Sequence, residues 1–131
     1  MKKILLVLVV SLFCACKSER PDMNTAIKIT ESAIKLLGDK NFDELTNLCT
    51  TDFKEGEPKE AKEKKYTQLI DLIGKTETST LIDSSRASKE EINMIVLKYA
   101  VKHTNATTTE TYTVIEEDGK SLIADIYITN K

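Results

Sequence analysis

The sequence predicts an α+β fold in which three N-terminal helices pack on one face of an antiparallel sheet of four strands. Three observations carry that expectation. Apolar residues recur at helical spacing up to Gly74, they alternate with polar residues beyond it, and Asp118-Gly119 supplies the positive φ angles of a tight hairpin between two alternating segments. Hairpin links cannot build a parallel sheet, so the second half reads as an antiparallel meander with the helices covering one side.

In residues 24–37, Ala26, Ile27, Ala33, Ile34 and Leu37 form the stripe of a first helix, and Met23 extends it backwards. Asn24 is expected to cap its start and Gly38 to close it in the left-handed conformation. Asn41 with Glu44 mimics a capping box, and Phe42, Leu45, Leu48 and Cys49 share one face, so a short second helix is expected to run to about Cys49. Residues 50–57 read as a loop pinned by Phe53. Pro58 fits the first turn of a third helix, whose early residues 59–65 alternate in charge and read as solvated. Tyr66, Leu69, Ile70 and Ile73 form its buried stripe, and Gly74 stops it.

Residues 76–85 make a weak, hydroxyl-rich first strand around Leu81-Ile82, and residues 91–104 a strong second one. There Ile95, Leu97, Tyr99, Val101 and His103 lie on one face, with Lys98, Ala100 and Lys102 on the other. Asn105-Ala106 reads as a turn. Residues 108–116 form a β-branched third strand through Thr111-Tyr112-Thr113-Val114-Ile115. In a fourth, residues 121–129, Leu122, Ala124, Ile126 and Ile128 alternate with Ile123, Asp125, Tyr127 and Thr129.

The chain has 131 residues, which allows one small domain. Lys2 and Lys3 precede an apolar run, residues 4–13, broken only by Ser11, and a small residue, Ala15, follows; this is the pattern of a secretory signal. A membrane span would need about 20 apolar residues, and the chain turns polar after Ala15. Residues 1–15 hold two lysines and no acid, so their removal takes 19 basic side chains to 17 against 21 acidic, and the formal charge from −2 to −4. A phosphate-binding face needs clustered positive charge, so nucleic acid is not an expected partner.

Phe13-Cys14-Ala15-Cys16 resembles the lipobox of bacterial lipoproteins, in which a small residue precedes an acylated Cys that becomes the mature N-terminus. The resemblance implies that Cys16 carries lipid and holds the protein to a membrane of the bacterial cell envelope. Cys14 fits less well, because bulky Phe13 would stand at the small-residue position before it. Residues 16–22 then form the lipidated Cys and a tether, and residues 23–131 one domain. With Cys14 removed and Cys16 blocked, Cys49 stands alone; a plain cleaved signal would instead permit a Cys16 to Cys49 disulfide.

Gly38-Asp39-Lys40-Asn41-Phe42-Asp43 with Leu45 and Thr51-Asp52-Phe53 resembles the opening of small proteins with the nuclear-transport-factor-2-like (cystatin-like) cone fold. Tyr99-Ala100-Val101 to Glu110-Thr111-Tyr112, and Glu117-Asp118-Gly119-Lys120 to Ile126-Tyr127-Ile128, resemble the closing hairpins of domain-of-unknown-function families that are often small envelope lipoproteins. The superfamily holds dehydratases, isomerases, ligand binders and interaction modules, so the resemblance implies a curved, cone-like fold and not one activity.

His103 is the only imidazole. As a general base it would need an acid to orient it, and Asp125 and Glu110 on neighbouring strands are the candidates. Tyr99, Tyr112 and Tyr127 fall on three adjacent strands and could line a pocket with His103. No residues stand at metal-loop spacing, no phosphate-binding glycine loop is present, and no cofactor is expected. The leading expectation is a non-enzymatic, lipid-tethered envelope domain that binds a small apolar ligand or an envelope protein. A dehydratase-like or isomerase-like enzyme using His103 and an acid is the second, and a structural subunit that dimerises through its sheet is the third.

Overall fold

A computed structural model describes residues 20–130. The signal segment, Cys14, Cys16 and the beginning of the tether lie outside the described residues. Four helices, α1 (Met23–Gly38), α2 (Phe42–Asn47), α3 (Thr51–Glu55) and α4 (Lys59–Ile73), precede four strands, β1 (Thr76–Lys89), β2 (Ile92–His103), β3 (Thr107–Glu117) and β4 (Lys120–Asn130). The strands pair antiparallel in the order β1-β2-β3-β4 and form an open sheet.

The expected count of three helices is corrected to four, because the segment taken as a loop coils into α3. Both of its ends are satisfied: the Thr50 hydroxyl accepts from the Phe53 N–H at 3.2 Å, and the Lys62 ammonium donates to the carbonyls of Phe53 and Lys54. Asp22, rather than Asn24, caps α1, with Oδ2 2.9 Å from the Thr25 nitrogen. Gly38 stays helical, and the positive φ after α1 falls at Lys40. A side chain at Gly38 would overlap the Thr76 hydroxyl, so close approach to β1 explains this glycine. Helix α2 ends at Asn47, and Pro58 caps α4 instead of entering it.

Ala26, Ala33, Ile34 and Leu37 of α1, Leu45 of α2, and Tyr66, Ile70 and Ile73 of α4 join one buried cluster with Ile95, Leu97, Tyr99, Val101, Tyr112, Val114 and Ile123 of the sheet. In β4 the expected alternation fails. The register slips between Thr113 and Val114, which pair with Asp125 and Ile123, so Ala124 is an extra residue. Ile123 therefore turns into the core, and Leu122 pairs with Ile115 on the other face. The bulge also gives the helices a hold on the sheet: the Ile123 N–H donates to the Leu48 carbonyl at 2.7 Å, and the Thr50 N–H to the Ile123 carbonyl at 2.9 Å.

Strand β1 extends to Lys89, beyond the expected end, and is exposed along almost its whole length. The turn that follows places Glu90 and Glu91 both at positive φ, a geometry that usually selects Asn-Gly or Asp-Gly. Asp118-Gly119 adopts the expected turn, with φ of 52° and 75°.

Candidate functional site

Strict alternation in β2 and β3 sends Tyr99, Val101 and His103, and Thr108, Glu110 and Tyr112, to the helix-covered face. Pairing of Tyr99 with Glu110 and of Val101 with Thr108 brings the polar ends of His103, Thr108, Glu110 and Tyr112 together, while the Tyr99 hydroxyl is buried without a hydrogen-bond partner among the described residues. His103 Nε2 lies 3.3 Å from Glu110 Oε1 and 3.0 Å from the Thr108 hydroxyl, while Nδ1 lies 3.2 Å from the Thr76 hydroxyl. Thr108 donates to Glu110 Oε1 at 3.1 Å, and Tyr112 donates to Oε2 at 2.5 Å. In a neutral ring, a proton on Nε2 serves Glu110 and leaves Nδ1 to accept from Thr76.

Of the two candidate acids, then, Glu110 meets the imidazole. Asp125 is exposed on the opposite face, opposite Thr113. Tyr99 and Tyr112 meet edge to face, with ring centroids 6.4 Å apart. Tyr127 does not join them: it pairs with Thr111 on the other face and is 62% exposed. The expected pocket of three tyrosines and His103 is therefore corrected to two tyrosines and a His-Glu pair. His103 is 3% exposed, Glu110 2% and Tyr112 0%. Proton transfer requires a substrate atom within about 3 Å of the base, and this cluster is sealed. Its chemistry is to satisfy buried polar groups across β1, β2 and β3 and so to hold their register.

A different opening lies among the helices. A cleft of about 160 Å³ is walled by Phe42, Leu45, Phe53 and Tyr66, with Lys59 and Lys62 at its border. The Phe42 and Tyr66 rings stack at 6.4 Å with 23° between their planes, and the Lys62 ammonium sits 4.6 Å from the Phe53 ring centroid. Lys59 is held by Asp43 at 2.8 Å and Glu63 at 3.7 Å. Sequence reasoning missed this cleft, because it treated residues 59–65 as a solvated face and Phe53 as a loop anchor. The available signal was one aromatic side chain on each of three successive helical segments.

Cys49 is buried and free, its thiol donating to the Leu45 carbonyl at 3.2 Å, and burial pushes its pKa up to about 11. Burial likewise pushes Tyr66 and Tyr99 up to about 12, and burial together with the Glu110 carboxylate raises Tyr112 well above the ordinary tyrosine value. All four groups are neutral when protonated. Because their folded values are raised, their contribution is complete below the unfolded thiol value of 9.0 and is lost as pH rises through 11 to 12. Urea midpoints are thus expected to be level from about pH 7 to 9 and to fall steeply by about pH 11 to 12. A midpoint unchanged to pH 12 would contradict the burial of these side chains.

Among the described residues no group of His, Cys, Asp and Glu could hold a metal ion, and no helix is long and apolar enough to cross a membrane. No protein-family model, curated protein or solved structure matches the chain.

Proposed function

We propose that the protein is a lipid-anchored domain of a bacterial cell envelope, with a cone of the nuclear-transport-factor-2-like kind, that takes a small apolar ligand into the cleft between α2, α3 and α4. The anchor reading rests on Cys16 and the signal pattern before it. The observation that carries the ligand reading is the cleft itself, whose volume is that of a cavity able to hold a benzene-sized molecule. Three aromatic rings supply its walls, and Lys54, Lys59 and Lys62 outnumber Glu63 at its border, so a compact aromatic or aliphatic body ending in a carboxylate suits it best.

The second reading, an enzyme using His103 with Glu110, is favoured by their 3.3 Å separation and disfavoured by their burial. The third, an envelope subunit or dimer joined through the sheet face, draws on Ile92 and Tyr127, exposed on the side turned away from the helices.

Benzoate, phenylacetate and hexanoate, titrated against the labelled domain with amide shifts as the readout, test the ligand reading. A ligand of about nine heavy atoms is expected to bind on the order of 0.1 to 1 mM. Shifts should concentrate at Phe42, Thr46, Phe53, Lys62 and Tyr66, and Thr46→Trp, which fills the cleft, should remove them. The absence of saturable shifts at these residues with every probe, or shifts centred on the sheet, would overturn the assignment.

A further inference from the structure

The outer face of the sheet, turned away from the helices, is not uniform along its strands. The register sets Ala87, Met94, Ile115 and Leu122 in one transverse row across β1 to β4. Ile92, on the same face at the start of β2, is 43% exposed. Toward the other end the rows turn polar, first Ser85, Val96, Thr113 and Asp125, next Asp83, Lys98, Thr111 and Tyr127, then Thr80, Ala100, Thr109 and Thr129. No described helix covers the apolar row, and a contiguous apolar patch on a small domain marks a contact surface.

The chain enters the domain at this same end. Pro21 is buried, and its carbonyl accepts from Arg86 Nη1 at 3.0 Å; Arg86 pairs with Ile95 on the helix-covered face, beside Ala87 on the outer one. Arg20 borders two surface hollows at this end, one shared with Arg86, Ala87 and Met94, the other with Thr25, Leu48, Lys120 and Leu122. From Cys16 to Arg20 is four residue steps, which span at most about 14 Å when fully extended. A lipid on Cys16 would therefore keep this end of the sheet close to the bilayer surface.

We infer that the end of the outer sheet face formed by Ile92, Met94, Ile115 and Leu122 rests on the membrane to which the protein is tethered. This rests on the reading of Cys16 as the lipid-bearing residue. The contact is apolar and not a matter of charge. The two turns at this end carry Glu90, Glu91 and Asp118 beside Lys89 and Lys120, while Glu117 is occupied by the Thr51 N–H at 3.1 Å and Glu116 by the Ser121 hydroxyl. Acids are at least as numerous as bases, so an anionic bilayer has no advantage over a zwitterionic one. The opposite end, where Thr76 pairs with His103 and α4 closes after Leu72, would then face away from the lipid.

The chain has no Trp, so one introduced residue reports one position. Ile92→Trp and Leu72→Trp, both at exposed sites, are made in a chain beginning at Cys16 and coupled through that thiol to a maleimide lipid in phosphatidylcholine vesicles with brominated acyl chains. An apolar face settled about 5–10 Å into the interface brings the indole introduced at position 92 within reach of the bromines, so about two-fold quenching and a blue shift are expected there and neither at position 72. Equal quenching at both positions, or none at position 92, overturns the inference. Chemical coupling makes this result independent of acylation in the cell. The mass of the wild-type chain recovered from bacterial membranes tests that separately: a Cys16 without acyl chains overturns the anchor reading, whatever the vesicles show.

Discussion

Glu110→Ala is expected to lower the unfolding free energy by about 3–5 kcal/mol, a large share of the roughly 5–15 kcal/mol available to a domain of this size. The carboxylate accepts from Thr108 and Tyr112 and faces His103, and all four side chains are buried. Truncation removes the acceptor and leaves the donors behind, and each stranded group costs on the order of 1–3 kcal/mol because water cannot reach it. Glu110→Gln preserves shape and one acceptor oxygen but turns an amide donor toward neighbours that also donate, so a smaller loss of about 1–3 kcal/mol is expected. Urea unfolding followed by circular dichroism measures both. A loss below about 1 kcal/mol for the alanine variant would mean that the cluster is hydrated and therefore accessible, which would make His103 and Glu110 catalytic candidates again.

Gly74→Ala should cost about 2–4 kcal/mol, from backbone strain and overpacking together. Gly74 has φ 88° and ψ −173°, a region that belongs almost solely to glycine. A Cβ there would stand 3.0 Å from Thr104 Cβ, 3.1 Å from Asn105 Nδ2 and 3.2 Å from the Asn105 backbone nitrogen. The surroundings cannot yield, because the Asn105 N–H donates to the Ile73 carbonyl and the Thr104 N–H to the Lys75 carbonyl, each at 2.9 Å. Gly119→Ala is the internal control: φ is 75°, and nothing lies within 4 Å of the added carbon, so strain alone applies and about 1 kcal/mol is expected. Thermal melts should separate the two variants by roughly 5–20 °C, at about 4–8 °C per kcal/mol. Equal shifts would show that the contact with the β2–β3 turn contributes nothing.

The elements that the sequence announced were those whose signal is local. The helical stripe ending at Leu37, the stop at Gly74, the alternation in β2 and the Asp118-Gly119 turn are each written in a few adjacent residues, and each is present in the fold. What the sequence concealed depends on partners far along the chain. Alternation in β4 puts Leu122 on one face with Ile126 and Ile128, but the bulge at Ala124 parts them, turning Ile123 inward where it is pinned to Leu48 and Thr50, and a bulge has no fixed periodicity. Asp125 and Glu110 were equivalent partners for His103 until the register put one of them on the opposite face. The cleft was harder still to foresee, since three short helical segments define it and the angles between them leave no mark on spacing.

The long edge strand has a consequence for crowding. Strand β1 is 14 residues long and turns the N–H and C=O of alternate residues to a side that no described element covers, which is ordinarily an invitation to add another strand. Under the proposed anchor, copies of the protein would share one plane and one orientation, so their edges would meet far more often than in free solution. Two irregularities interrupt that edge, where Glu77 and Ile82 fall out of register, and Asp83, Arg86 and Lys89 set charges along it. A neighbouring copy therefore finds no straight run on which to extend a ladder, and the same strand that completes the sheet resists joining two sheets into one.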